Sequence, residues 1–121
     1  MATDNPTRLR RAAAVAGISL LALVGCAGES VDSTITIATV DGKPGFRPDE
    51  ITVHKNDEVD LTVTNVTDKT HGFRIEGYGI TRLSDPTAPP ERVKFSASRG
   101  GTFRIMCQLH EKHQTGTLIV L

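Results

Sequence analysis

Apolar and polar residues alternate in short runs along the chain from Thr34 onward. The clearest run is 59–64, in which Val59, Leu61 and Val63 alternate with polar residues. Successive side chains of a β-strand point to opposite faces of the sheet, so this pattern predicts a strand with one buried face. Comparable runs contain the apolar residues Ile35, Ile37, Ile51, Val53, Phe73, Ile75, Val93, Phe95, Phe103, Ile105, Leu118 and Val120. We therefore expect most of the chain to be extended.

Residues that favour turns separate these runs. The segments 41–45 and 55–58 are rich in Gly, Pro, Asn and Asp, which predicts turns there. The segment 76–92 contains two glycines and three prolines, so we expect a long connection with room for one short turn of helix. No segment after residue 34 repeats apolar residues at helical spacing over three turns. The predicted fold class is all-β, and short strands at this spacing are typical of a two-sheet sandwich or barrel.

The first 25 residues have the features of an export signal. Three arginines precede the apolar stretch 12–24, which is shorter than a comfortable membrane span. The tetrapeptide 23–26, Leu-Val-Gly-Cys, resembles a bacterial lipobox. That resemblance implies cleavage before Cys26 and attachment of lipid to its thiol. An uncleaved anchor and an ordinary signal peptide cleaved further on are the alternatives, and the export route, Sec or twin-arginine, stays open.

Cleavage before Cys26 would divide the chain into a lipoprotein signal peptide (1–25), a lipid-anchored tether (26–33) and one folded domain (34–121). The acyl chains would hold the domain outside the cytoplasm, on the surface of the cell membrane. Cys107 would then be the only free thiol in an oxidising compartment, because no cysteine remains for a disulfide. Such a thiol needs protection by burial or by a metal.

Composition narrows the classes of partner. The 121 residues suffice for one domain, and their formal net charge is zero. Without residues 1–25, which hold three arginines and one aspartate, eleven basic and thirteen acidic residues remain. The chain has no basic stripe, no Trp and few other aromatic residues. We therefore expect no binding to nucleic acid.

The segment around Cys107 carries the candidate chemistry. Phe103, Ile105 and Cys107 share one parity, which places the thiol on the buried side at the end of a strand. His110 and His113 follow in a polar loop before the last predicted strand. A thiolate beside neutral imidazoles is a donor set that copper or zinc prefers.

The donor set favours copper over zinc. Structural zinc usually takes four protein ligands, often with paired cysteines, and the chain has no second cysteine of that kind. Two histidines and one cysteine with a weak axial donor form the copper electron-transfer site. The alternative is that Cys107 is only a small buried apolar residue and that the histidines are solvated loop residues.

With these positions identified, the chain resembles the cupredoxins over residues 34–121. The resemblance rests on Phe46, Pro48, Ile51, Val53, Val59, Asn65, His71, Phe73, Ile75, Gly101, Phe103, Cys107, His110, Gly116, Leu118 and Val120. It implies a Greek-key β-sandwich that binds copper near one end. The ligands that it implies are His71, Cys107 and His110.

Two comparisons within the family bear on the kind of copper site. The segment 68–73 is similar to the first ligand region of the copper domain of cytochrome oxidase subunit II. That domain uses a second cysteine for a dinuclear centre, and this chain lacks it, so a mononuclear site is implied. Amicyanin-like members carry Met at the third position after the loop histidine, where this chain has His113. If His113 binds, its imidazole should lower the reduction potential and shift the colour from blue toward green or red.

The remaining candidates are weaker. If His113 points to water, Leu109 or a backbone carbonyl would shape the fourth position. Met106 has the parity opposite to that of Cys107, which makes it a poor axial ligand. We expect His54, at the end of a predicted strand, to be solvated. Asn65 and Asp68 precede His71, where one of them could accept the ring N–H or tie the two ligand loops together. The alternative is that both serve only as turn residues.

The function that follows is a lipid-anchored copper protein that passes single electrons to or from a redox partner protein, cycling one ion between Cu(I) and Cu(II). We do not expect an enzyme, because four histidines in all cannot supply a second copper centre and no nucleophile motif is present. The main alternative is a copper-trafficking or resistance protein that exchanges the metal with a donor or acceptor protein. A metal-free interaction domain is the third possibility.

Overall fold

The computed structural model describes residues 28–109 and 115–121, which form nine β-strands joined by turns and contain no helix. The predicted residues Cys26, His110 and His113 lie outside these ranges. The strands are β1 (Ser30–Val40), β2 (Lys43–Arg47), β3 (Glu50–Val53), β4 (Glu58–Asn65), β5 (His71–Ile75), β6 (Ile80–Ser84), β7 (Glu91–Ser96), β8 (Gly101–Met106) and β9 (Thr115–Val120). The described residues accordingly hold no helix long and apolar enough to span a membrane.

The strands form two sheets. The order is β2-β1-β4-β7 in the four-stranded sheet and β3-β9-β8-β5-β6 in the five-stranded sheet. The pairs β1–β4 and β3–β9 are parallel, and all other described pairs are antiparallel. The prediction of an all-β Greek-key sandwich is confirmed.

The apolar core lies between the two sheets. Strand β4 buries Val59, Leu61 and Val63 on one face, as its alternation predicts, and leaves the residues between them partly exposed. The rings of Phe46 and Phe73 meet edge to face with centroids 5.8 Å apart, which ties β2 of one sheet to β5 of the other. One contiguous cluster therefore joins the sheets along their length.

Three strands differ from the sequence-based expectation. Strand β1 begins at Ser30, so residues 30–33 are strand rather than tether, and the sheet starts four residues earlier than predicted. Residues 43–45 belong to β2 instead of a turn; Pro44 is tolerated because β2 is an edge strand. The segment 80–84, expected within a long connection, is the strand β6 that pairs with β5.

The two ends of the sandwich differ in what they hold. Strands β4, β6 and β8 finish at one end, where β5, β7 and β9 begin; we call it the His71 end. The opposite end carries the turn 54–57 between β3 and β4, and we call it the Asn56 end. Because β1 runs parallel to β4, the described chain enters the fold at the Asn56 end.

A buried carboxylate secures this entry point. Asp57 accepts hydrogen bonds from the backbone N–H of His54 (2.8 Å) and of Glu29 (3.1 Å). A backbone bond from Glu58 N–H to the Glu29 carbonyl, 2.8 Å long, lies beside them. These donors, His54 first, hold the pKa of the Asp57 carboxyl below its ordinary value, because they favour the charged form. Asp57 thus links the turn before β4 to the start of β1.

We expect Asp57→Asn to lower the free energy of unfolding at neutral pH, because an amide cannot accept both N–H groups as a carboxylate does. The pKa of Asp57 is lower in the folded state than in the unfolded state, so its contribution is fully present above the unfolded pKa. That contribution is lost as pH falls through the folded pKa, so the difference between the two proteins should shrink below about pH 4. Urea unfolding at a series of pH values measures it.

The control is Asp41→Asn, at an exposed turn residue with φ of 52°, a conformation that Asn also accepts. It should leave stability unchanged across the same range. A pH-independent loss in Asp57→Asn would contradict the role of the charge.

Candidate metal centre

His71 and Cys107 approach each other at the His71 end. His71 is the first residue of β5, and Cys107 directly follows β8, the strand that pairs with β5. Both side chains are buried, with exposed fractions of 3% for His71 and 0% for Cys107. The predicted burial of Cys107 is confirmed, although Met106, which has the opposite parity, is buried as well. The role of both residues as metal ligands stays a prediction.

A backbone group is directed at the thiol sulfur. The N–H of Gly72, next to His71, donates a hydrogen bond to Cys107 Sγ with N and S 3.1 Å apart. The same N–H can donate to the sulfur when the sulfur is a metal ligand. Hydrogen bonding around such a sulfur also tunes the reduction potential of a copper site.

Asn65 organises the loop that leads to His71. Its Nδ2 donates to the carbonyl oxygens of Lys69 (2.7 Å) and Ser84 (2.8 Å). Its Oδ1 accepts from the backbone N–H of Thr67 (2.9 Å) and from the Thr67 hydroxyl (2.7 Å). The buried amide therefore uses both ends to hold the loop in shape and to attach it to the end of β6. Asn65 thus supports the loop before His71 through Lys69 and Ser84, and its bond from the Thr67 N–H is at the same time ordinary turn chemistry.

Gln108 covers the contact between Gly72 and Cys107. Its Nε2 donates to the Arg82 carbonyl on β6 over 3.0 Å, and its amide lies against Gly72 so closely that a Cβ at Gly72 would overlap Oε1. Gln108 Oε1 is buried and has no hydrogen-bond partner within the described residues. Gln108, the residue after Cys107, is thus hydrogen-bonded to β6 across the intervening strand β5. Sequence reasoning missed Gln108, because its partner is 26 positions away and no local pattern marks it.

The other sequence candidates are exposed or lie outside the described residues. His54 is exposed at the Asn56 end, near Asp57, and Asp68 is exposed in the loop before His71. His110 and His113 lie outside the described residues. Within residues 28–109 and 115–121, no three His, Cys, Asp or Glu side chains are grouped to hold a metal ion.

The described part of the site fits a soft metal ion. A thiol and an imidazole are ligands that copper and zinc accept, and here both are held by strand ends in a buried position. Around this position, three large apolar side chains, those of Val66, Leu83 and Leu109, are exposed by half or more. The His71 end therefore combines the buried His71 and Cys107 with three exposed apolar side chains.

Comparison with known proteins gives one family match and a set of similar folds. The family model of the cupredoxin-like domain matches residues 13–120. A copper nitrite reductase from Nitrosomonas europaea is 16% identical with a TM-score of 0.64, over 75% of this chain and 41% of that one. The multicopper oxidase mgLAC is 24% identical with a TM-score of 0.61, over 77% and 39%. This chain thus spans about two fifths of the length of those two proteins.

A third similar structure is a heme-copper terminal oxidase dimer. It is 16% identical with a TM-score of 0.56, over 82% of this chain and 68% of that one. At these identities the likeness concerns the fold.

We expect Asn65→Ala to lower the free energy of unfolding by about 2 kcal/mol, because the buried Ser84 carbonyl and the Thr67 N–H lose their partner and the Lys69 carbonyl loses one of two. Thr67→Val is the matched control, since it removes the hydroxyl with its exposed bonds to Lys69 and keeps the Asn65 amide and its two carbonyl partners. It should cost clearly less. Urea unfolding of the metal-free protein measures both, and equal losses would contradict the central role of the Asn65 amide.

A double-mutant cycle tests the contact between Gly72 and Gln108. Gly72→Ala should destabilise the protein because the new methyl group displaces the Gln108 amide. In a Gln108→Ala background the same change should cost about 1 kcal/mol less, because the space is already vacated. Gly45→Ala, where a Cβ would make only ordinary contact with Val40, should be additive with Gln108→Ala. If the effects of Gly72→Ala and Gln108→Ala also add, the contact between these two residues is contradicted.

Proposed function

Because the chain belongs to the family of cupredoxin-like domains, we propose that it binds one copper ion at the His71 end and carries single electrons. The observation that supports this most directly is the buried Cys107 thiol with the Gly72 N–H directed at its sulfur, beside the buried His71. When bound, copper would supply a one-electron cycle between Cu(I) and Cu(II).

His71 and Cys107 would hold the ion together with His110 from the loop that follows. His113 is the candidate for the fourth position, where an imidazole would be a stronger donor than a thioether. The site would then have a lower reduction potential and a green or red colour. If His113 faces water, a weaker donor from the loop takes that position and the site is blue.

The role of the surrounding residues is to fix the ligands before the metal arrives. Asn65 holds the loop that ends at His71, and Gln108 attaches the residue after Cys107 to β6. Ligands that are already in place need not rearrange when the charge on the metal changes, which favours fast electron exchange. The core between the sheets supports both strand ends.

Burial of the donor pair favours an electron carrier over a copper-trafficking protein. A protein that hands copper to an acceptor must let the acceptor's ligands reach the ion. Cys107 and His71 are buried, so direct exchange at these two residues would require the site to open. An electron needs no such opening. For the same reason we propose a carrier and not an enzyme, which would require a position open to substrate.

We further propose that the protein is a lipoprotein attached through Cys26 to the outer face of the cytoplasmic membrane. The support is the lipobox-like tetrapeptide 23–26 after an apolar stretch. The redox partner would then be another protein of the cell envelope.

Titration of a soluble form that begins at Ala27 with Cu(II) tests the metal site. We expect an intense thiolate-to-copper absorption band that saturates at one equivalent and is absent in Cys107→Ser, with an electron paramagnetic resonance signal of one mononuclear centre. His113→Met should move the band toward blue and raise the reduction potential, because the axial donor becomes weaker. His54→Met, at the exposed histidine of the Asn56 end, is the matched control and should change neither.

Each alternative has its own outcome. A Cys107 thiol that stays fully reactive toward a thiol reagent in the presence of copper would contradict the site. A normal band with rapid loss of copper to a competing chelator would favour trafficking.

A further inference from the structure

We propose that the Asn56 end of the sandwich rests on the lipid bilayer and that the His71 end points away from it. The inference rests on the membrane attachment proposed above, but it does not depend on copper. In this orientation the redox partner binds at the His71 end, away from the membrane surface.

The chain is held at the Asn56 end from its first described residue. Gly28 lies directly on the turn 54–57, where a Cβ would overlap the carbonyl oxygen of Asn56. Glu29 is fixed on both sides, since its N–H donates to Asp57 and its carbonyl accepts from Glu58 N–H. From residue 28 onward the backbone is therefore fixed to the fold.

The connection to the membrane is short. Two residue steps separate Cys26 from Gly28, and they span at most about 7 Å when fully extended. A lipid on Cys26 must therefore enter the bilayer close to the Asn56 end. An uncleaved anchor gives the same orientation, because the apolar stretch ends at Val24, only about 14 Å of chain before Gly28.

The same end offers a second contact to a bilayer. The side chain of Leu121 is 66% exposed there, and its carbonyl accepts a hydrogen bond from the backbone N–H of Lys55. An exposed apolar side chain beside a lysine suits the boundary between head groups and acyl chains. By contrast, the outer face of the four-stranded sheet carries the ion pair of Asp60 with Arg92, which favours water. These features favour an upright molecule over one lying on that sheet.

The distance between the two ends follows from β4. This strand has eight residues and runs from the Asn56 end to the His71 end, a rise of about 23 Å. The buried His71 and Cys107 then lie roughly 20 Å or more from the bilayer surface. The exposed Val66, Leu83 and Leu109 face the aqueous side. The partner that fits is a soluble protein, or a domain that projects from the membrane, with an apolar docking surface.

Fluorescence energy transfer to a lipid-bound acceptor tests the orientation. The full chain, lipidated in its host, would carry one fluorophore on Ser98→Cys in the turn before β8 or on Ala88→Cys in the turn before β7. Both positions are exposed, and the first lies at the Asn56 end while the second lies at the His71 end. In vesicles of phosphatidylcholine and phosphatidylglycerol that contain a head-group acceptor, we expect the label at 88 to lie about 20 Å farther from the lipid than the label at 98.

Other results would overturn the proposal in distinguishable ways. Equal distances would indicate a molecule lying on its side. A shorter distance for the label at 88 would mean that the His71 end faces the bilayer. No transfer from either label would overturn the membrane attachment itself. The thiolate-to-copper band of the same vesicles reports the metal site independently of all three.

A variant with a longer tether tests the cause of the orientation. Ten Gly and Ser residues inserted between Ala27 and Gly28 have a typical end-to-end distance of about 17 Å, enough for the sandwich to turn over. The difference between the two labels should then shrink. A difference that persists unchanged would overturn the short tether as the determinant.

Discussion

The candidate site depends on one hydrogen bond, that from the Gly72 N–H to the Cys107 sulfur. It requires the start of β5 and the end of β8 to meet side by side, which the antiparallel pairing of these strands ensures. It also requires position 72 to have no side chain, because the Gln108 amide occupies the space where a Cβ would lie. The rest of the His71 end serves this junction. Asn65 and Gln108 both attach their loops to carbonyls of β6, so the two loops share one support.

The parts of the fold that were predicted from sequence are those with one buried and one exposed face. Strand β4 and the strand before Cys107 alternate because their inner residues meet the opposite sheet. The alternation of apolar and polar residues is absent where burial does not alternate. The first residues of β1 are mostly polar and at least partly exposed, and they are strand because they pair with β4 in register from Ser30 with Glu58. Strands β2 and β6 lie at sheet edges, where Pro44 and the exposed residues of β6 are tolerated, so neither shows a clear period.

The candidate donors were named from the sequence, and of the residues around them Asn65 was considered but Gln108 was missed. A cysteine on the buried parity of a strand and a histidine before another strand are visible in the sequence, because residue type and spacing carry that information. The bonds that position them are not visible. Gln108 meets Arg82, and Asn65 meets Ser84, across 26 and 19 positions, so only the folded sheet brings them together. Met106 shows a related limit: its parity is opposite to that of Cys107, yet it is buried, since alternation predicts the side of a sheet and not what covers it.

Strand β4 explains how one small sandwich would keep the proposed membrane attachment apart from the candidate metal site. It begins directly after Asp57, which holds the entry of the chain, and it ends at Asn65, which holds the loop before His71. Its inner residues Val59, Leu61 and Val63 lie in the core throughout, so little bending is possible between its ends. The N-terminal segment is tied to the fold by Asp57 and by the pairing of β1 with β4. The loop before His71 lies at the other end of this strand, where Asn65 bonds it to the end of β6, so the proposed attachment and the proposed ligands would rest on separate contacts.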